Sequence, residues 1–236
     1  MEEDYRKYGG INGTVIIAEH QRRGKGRHVE NKWISPRGGI WLSVILLPKI
    51  NTSQSTFLPL CSAIAACDII NEQTNLSAKI KWPNDIVVRG KKVSGILVNT
   101  STVGEKINYA VIGIGINANI EPSAITSSIA SNGSNYSECL LGYTGVTSLQ
   151  NELSNTNIDV TLMIQLLLEK LEHYYLELET DGPANIRHEW KKRADTLGKA
   201  VKIRTQKGII EGIAIDIDNN GILLVKTYDG NVHQLI

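Results

Sequence analysis

The spacing of apolar residues changes several times along the chain, and each change predicts an element. From Gly13 the run GTVIIAE is β-branched and glycine-bounded, a strand. His20 to Gly39 is polar, basic and glycine-containing, and reads as a long loop of the kind that usually serves function or moves. Ile40–Leu47 (IWLSVILL) predicts a second, mostly buried strand. Pro59 falls early in the next segment, where a helix tolerates it. Leu60 to Asn71, with Ile64, Cys67, Asp68 and Asn71 recurring at three and four, predicts that helix. Ala78–Trp82, Ile86–Val88, Lys92–Asn99 and Ile107–Ile116 then read as strands. Their connections are only a few residues long, so they pair as antiparallel hairpins.

Residues 117–150 are rich in Ser, Asn and Gly, a loop with one short helix. Asp159 to Glu179 places Leu162, Leu166, Leu167, Leu171, Tyr174, Tyr175 and Leu178 on one stripe, an amphipathic helix. Asp181-Gly182-Pro183 ends it and opens another, running to about Asp195. Beyond Leu197-Gly198 the pattern becomes short β-rich runs broken at Gln206-Lys207-Gly208, Asp218-Asn219-Asn220-Gly221 and Tyr228-Asp229-Gly230. Such breaks signal hairpins, and the segment fits a small SH3-like barrel, too small to stand alone and expected to dock on the rest. The expected class is α+β: a mixed, largely antiparallel sheet in residues 1–196, and the barrel in 197–236.

Composition narrows the function without naming it. A 42% hydrophobic and 21% charged chain is ordinary for a globular protein. A net charge of +1 creates no global field toward nucleic acid or anionic membrane, so any anion binding must come from local clusters. The unbroken apolar runs are too short to span a bilayer, and MEEDYRKYGG has no signal core, so no membrane partner is expected. Cys61, Cys67 and Cys139 lack metal-like spacing and read as small buried thiols of a cytoplasmic protein.

Three stretches carry candidate chemistry. In EHQRRGKGRHVENKWISPRGG (19–39), Arg22, Arg23, Lys25 and Arg27 crowd around Gly24 and Gly26. Glycines let backbone N–H groups converge on an anion and the cations neutralise it; a solvated basic loop is the plain alternative. KWPND (81–85) is a turn whose Lys81 ends an apolar strand, so its ammonium can enter a cleft while its stem packs on apolar neighbours. YAVIGIGINANI (109–120) is a buried strand whose Gly113 and Gly115 allow close approach of a ligand or another backbone. Asn117 and Asn119 mark its polar exit.

Taken in order, GKGR, W-x-S-P-x-G-G, KWPND, KKxxGIL and GIGIN-x-N closely resemble the biotin protein ligase family, and GKAVKIRT…GIAIDIDNNGILLV resembles that family's C-terminal barrel. The resemblance runs from Gly13 to the end. It implies a catalytic domain like a class II aminoacyl-tRNA synthetase, which joins biotin to ATP with Mg2+ assisting. The resulting biotinyl-5′-AMP passes its acyl group to one lysine of a biotin carboxyl carrier protein. By the same resemblance, Lys81 and Arg27 are catalytic, with Lys81 bridging the biotin carboxylate and α-phosphate. Gln21, Gly24, Lys25, Gly26, Arg27, Lys81, Gly113 and Gly115 contact biotin. Lys25, Arg27 and Asn117 meet the nucleotide, and Asn117 faces magnesium through the phosphates. Trp33 and Trp41 are packing groups, while Lys91, Lys92 and Gly95 either meet the ligand or shape their hairpin.

Two departures stand beside the match. The family places a strand and a Ser-Thr-Asn helix before the first motif; here MEEDYRKYGGIN precedes Gly13 without that triplet. The chain is therefore expected to be N-terminally short, with impaired turnover or another way of satisfying biotin's ring. The missing strand would leave a sheet edge open to homodimer formation. After GKGR, His28 to Lys32 is one residue longer than the commonest form and lacks its glycine; His28 is a loop residue or a base. No helix-turn-helix segment is present, so no DNA partner is expected. Lipoate ligation, on the same fold, is the competing activity.

Overall fold

The computed structural model describes residues 10–26, 32–124, 144–205 and 208–235. Its strands are β1 (Thr14–Ala18), β2 (Gln21–Lys25), β3 (Lys32–Ser35), β4 (Ile40–Leu46), β5 (Lys79–Lys81), β6 (Asp85–Val88), β7 (Lys91–Val103), β8 (Lys106–Ile116) and β9 (Gly145–Val146). The helices are α1 (Phe57–Thr74), the short α2 (Leu149–Glu152), α3 (Val160–Thr180) and α4 (Pro183–Arg193). The last segment holds β10 (Ala200–Thr205), β11 (Gly208–Ile217), β12 (Leu223–Thr227) and β13 (Val232–Leu235). Six strands form an antiparallel sheet in the order β1-β4-β8-β7-β6-β5, and β9 joins β7 in parallel. The expected α+β class with helices on one face is what forms.

Alternation sorts the two faces of this sheet. Ile40, Leu42, Val44 and Leu46 of β4, with Ile112, Ile114 and Ile116 of β8, enter the main core beneath the helices. The intervening Trp41, Ile45 and Val111 lie in two smaller clusters on the opposite face. Because β4 is covered on both sides, its sequence is apolar almost throughout.

Helix α1 buries 13 of its 18 residues and has no polar side. By length and composition, the stretch Thr52–Thr74 is apolar enough to cross a bilayer, which the unbroken runs alone did not suggest. That apolarity faces the core instead, against α3, α4 and the sheet. Within α1, burial pushes the Cys67 thiol up to about 12 and the Cys61 thiol further, so both are unreactive apolar groups. Cys139 lies outside the described residues. Helix α3 starts where Asp159 accepts the Leu162 amide at 3.0 Å, and Pro183 opens α4.

Two elements differ from the sequence reading, and a third refines it. The long basic loop contains an antiparallel pair, β2 with β3. Strand β7 runs on to Val103, because the chain reverses only at Gly104, whose φ of +61° suits glycine. The C-terminal segment is a four-stranded meander, β10-β11-β12-β13.

That small sheet shares the main core through Ala214, Ile217, Leu223, Val225 and Leu235. Polar ties surround the junction. Arg187 donates to the Ile217 carbonyl at 2.8 Å and pairs with Asp216 at 3.1 Å, while Thr56 donates to the Asn220 carbonyl. Gly221 (φ +73°) sits where a Cβ would come within 3.2 Å of Leu60. The backbone amides of Asp195 and Trp82 knit the same junction, the first to the Ile80 carbonyl at 2.7 Å, the second to Thr196 Oγ1 at 2.8 Å.

Candidate functional site

Strand register builds the site. Ala18, Trp41, Gly115, Gly95, Asp85 and Lys81 are successive cross-strand partners on β1, β4, β8, β7, β6 and β5. Directly paired residues share a face, so one row crosses the sheet opposite the helices, with an indole at one end and an ammonium at the other. Its middle is two glycines. The neighbouring row on that face is Ile16, Ser43, Gly113 and Leu97.

Trp33 of β3 lies on the glycine floor. A Cβ at Gly115 would meet its Nε1 at 2.5 Å, and one at Gly95 would meet its ring at 3.0 Å. Trp41 meets the ring edge-on, with centroids 6.2 Å apart, and Lys92 Nζ stands 5.2 Å from its centroid. The buried Trp33 Nε1 finds no acceptor among the described residues. At Gly113, by contrast, a Cβ would have nothing closer than 3.6 Å. The floor is therefore filled at Gly115, whereas Gly113 has room for a methyl in ordinary contact.

The hairpin β2–β3 brings the first motif to this floor. Gln21 Oε1 accepts from Ser35 Oγ at 2.7 Å, and both groups lie 3.0 Å from the Cβ position of Gly24. A side chain at Gly24 would run into the Trp33 carbonyl, so this strand crossing requires glycine. Lys25 is exposed at the end of β2 and Gly26 follows, half-buried. Arg27 lies outside the described residues, as does the His28–Asn31 stretch; Lys32 opens β3.

At the polar end, Lys92 Nζ and Asp85 Oδ2 are 2.7 Å apart. Lys81, half-buried at the end of β5, is pulled below the ordinary lysine range. Burial is the main cause, Asp85 and Asp195 oppose it, and Lys92 and Lys199 add to it. Asn117 follows β8 and is 1% exposed, its Nδ2 donating to the Thr147 carbonyl at 3.0 Å and its Oδ1 without a partner among the described residues. Thr147 Oγ1 in turn donates to Glu152 at 2.8 Å, and Arg89 and Lys91 pair with Glu152 at 3.0 and 3.6 Å.

The structure thus gathers Lys81, Gly113, Gly115, Gln21 and Gly24 around one face, with Asn117 at its margin. The sequence reading gave Trp33 only a packing role and Asp85 none, though both lie within the quoted motifs. Thr147 and Glu152 left no readable signal, because their place depends on β9 pairing with β7 across a long connection.

The chain matches two family models: the Biotin/lipoate A/B protein ligase family over residues 2–117, and the Biotin protein ligase C terminal domain over residues 196–236. The chain belongs to the biotin protein ligase family. Among curated relatives, it is 32% identical to the bifunctional ligase/repressor BirA of Bacillus subtilis over 219 residues. That match takes in 92% of this chain and 63% of BirA, so the chain spans less than two thirds of that relative. It is 29% identical to the biotin–[acetyl-CoA-carboxylase] ligase of Paracoccus denitrificans, over 92% of this chain and 86% of that protein. In shape it is similar to the Aquifex aeolicus biotin protein ligase solved with biotin and ATP. The TM-score is 0.79 at 24% identity, covering 99% of this chain and 90% of the other, a likeness of fold. Within a biotin protein ligase fold, the row from Gly115 to Lys81 and much of the β2–β3 hairpin come from the five ordered motifs.

Proposed function

We propose that this chain ligates biotin, through biotinyl-5′-AMP, to a lysine of the carboxyl carrier of a biotin-dependent carboxylase, in the cytoplasm. One observation carries the proposal: a half-buried lysine, a pair of glycines and the indole lying on them share a single sheet face. Biotin's apolar chain fits over Gly113, with its carboxylate toward Lys81. The Lys81 ammonium then draws the carboxylate and the α-phosphate of ATP together and holds the charge that builds as the anhydride forms and pyrophosphate leaves. No protein nucleophile is needed. The mixed anhydride is already an activated acyl group, which the acceptor amine attacks to release AMP.

Gln21 and Gly24 support this reading by bringing the first motif to the same slot, and Lys25, Gly26 and Arg27 supply the flap in it. Magnesium enters with ATP rather than as a resident ion. No cluster of three metal-ligating side chains occurs among the described residues, while the orphaned Asn117 Oδ1 suits one oxygen contact to a phosphate-borne ion. The ion would screen phosphate charge, and Asn117 would fix its position. The division into a catalytic part to residue 196 and a C-terminal unit from 197 is part of the same proposal.

Biotin-dependent exchange of pyrophosphate into ATP tests the function, with lipoate offered in parallel. Exchange with biotin alone is expected; exchange with lipoate alone would reassign the activity. Lys81→Ala should slow biotin-dependent exchange by on the order of 10²–10³. A near-normal rate would remove Lys81 from the mechanism.

A further inference from the structure

Asp85 is 8% exposed, although it is a carboxylate. Register places it opposite Lys81 on one side and opposite Gly95 on the other. Its Oδ2 lies 2.7 Å from Lys92 Nζ, and its Oδ1 lies 3.2 Å from the Cβ position of Gly95, where the Trp33 ring also rests. One carboxylate therefore touches the slot floor while standing between two ammonium groups. A pair serving only to fasten β6 to β7 could sit anywhere along those strands. This one is at the single position that faces the strand-end lysine.

The geometry points to Asp85 as a positioning residue that acts through Lys81, keeping its ammonium charged and turned toward the slot, with Lys92 competing for the same carboxylate. The inference rests on the ligase reading for its consequence, though not for the coupling itself. Among the described residues, four charged groups act on Lys81: Asp85 from β6, Lys92 from β7, Asp195 after α4, and Lys199 before β10. Lys199 pairs with Asp195 at 2.6 Å, so that carboxylate is partly neutralised by its own neighbour. Burial already favours the uncharged amine at Lys81, and the Lys92 charge on the same sheet adds to that effect. Asp85 offsets both effects. An uncharged Lys81 could neither draw in a carboxylate nor hold a developing phosphate charge.

The two neighbours of Lys81 should then shift its behaviour in opposite directions, which a purely structural role would not do. Biotin-dependent pyrophosphate exchange is measured in the full chain at about pH 7.5 and about pH 9.5. The ratio of alkaline to neutral rate should fall roughly threefold to tenfold in Asp85→Asn, recover in Asp85→Glu, and rise above the parent in Lys92→Gln. Ratios unchanged in both Asp85→Asn and Lys92→Gln, or moved the same way, would overturn the inference. A second readout needs neither substrate nor turnover: the 13C resonance of reductively methylated Lys81, assigned by its loss in Lys81→Arg and titrated in the same variants. Opposite displacement of that titration in a chain that performs no exchange would retain the coupling and reject the ligase reading. An unmoved titration in an active enzyme would reject the coupling and leave the ligase reading intact.

Discussion

At the scale of single residues, the two glycines of GIGIN make separable statements. Gly115 carries the Trp33 indole directly, so Gly115→Ala should dislodge that ring and cost about 1–3 kcal/mol of stability, measurable as a lower unfolding midpoint in denaturant. Gly113 has room for a methyl, in ordinary contact with Leu97 and Ser43. Gly113→Ala should fold as well as the parent yet bind biotin roughly 10- to 100-fold more weakly by calorimetry, because the added methyl takes volume the ligand needs. Equal biotin affinity in the parent and Gly113→Ala would put the slot elsewhere. Lys81 was legible in the sequence because a lysine ending an apolar strand needs a reason. Trp33 was not, since where its ring goes depends on β2 and β3 folding back over the sheet, and no local pattern encodes that. Asp85 was hidden differently: in KWPND it looks like an ordinary turn residue, and only the β5–β6 register sets it against Lys81.

Among the elements, the three long helices α1, α3 and α4 were the most readable, since each is periodic or opened by a proline or a capping residue. What joins them was not. Arg193 of α4 grips Asp68 of α1 through two nitrogens, at 2.5 and 3.0 Å, and Tyr174 of α3 donates to the same carboxylate at 2.7 Å. Burial works against the guanidinium, but Asp68 and Glu189 outweigh it and hold its pKa above the usual arginine value. Asp68→Ala would leave this half-buried cation to Glu189 alone and free the Tyr174 hydroxyl, at a cost on the order of 2 kcal/mol, lowering Tm by roughly 4–8 °C. A change of about 2 °C or less would mean the clamp is idle. Asp216 makes a second, pH-dependent joint with α4. Burial pushes its carboxyl up, yet hydrogen bonds from Lys191 and the Ile217 amide, with the Lys191 and Arg187 charges, bring it below the ordinary range. A depressed carboxylate stabilises the fold above its unfolded value, near about pH 4, and that contribution fades as pH falls through the folded value. The stability gap between the parent and Asp216→Asn should therefore be present at about pH 6 and close toward about pH 3, as read from urea midpoints. The pairing of β9 with β7 escaped the sequence because parallel partners are brought together by distant chain, not by a turn.

For the whole molecule, the α+β class and the change of character after Leu197-Gly198 were visible in hydrophobic period, short connections and turn residues. That the two sheets share one core was only an expectation of docking. Its basis is physical: the meander cannot enclose Ala214, Ile217, Leu223, Val225 and Leu235 by itself, and α1 supplies the missing surface. Unfolding should accordingly be a single cooperative event, with far-UV circular dichroism and calorimetry tracing one coincident transition; two resolved transitions would contradict the shared core. The backbone ties from Ile80 and Trp82 to Asp195 and Thr196 also limit how such proteins can be recombined. Those two residues stand at the seam in sequence but hold the strand end that presents Lys81. A chimera grafting a relative's tail onto this chain must therefore keep a backbone N–H at 195 and a hydroxyl at 196, or it will assemble two sound halves around a misplaced ammonium.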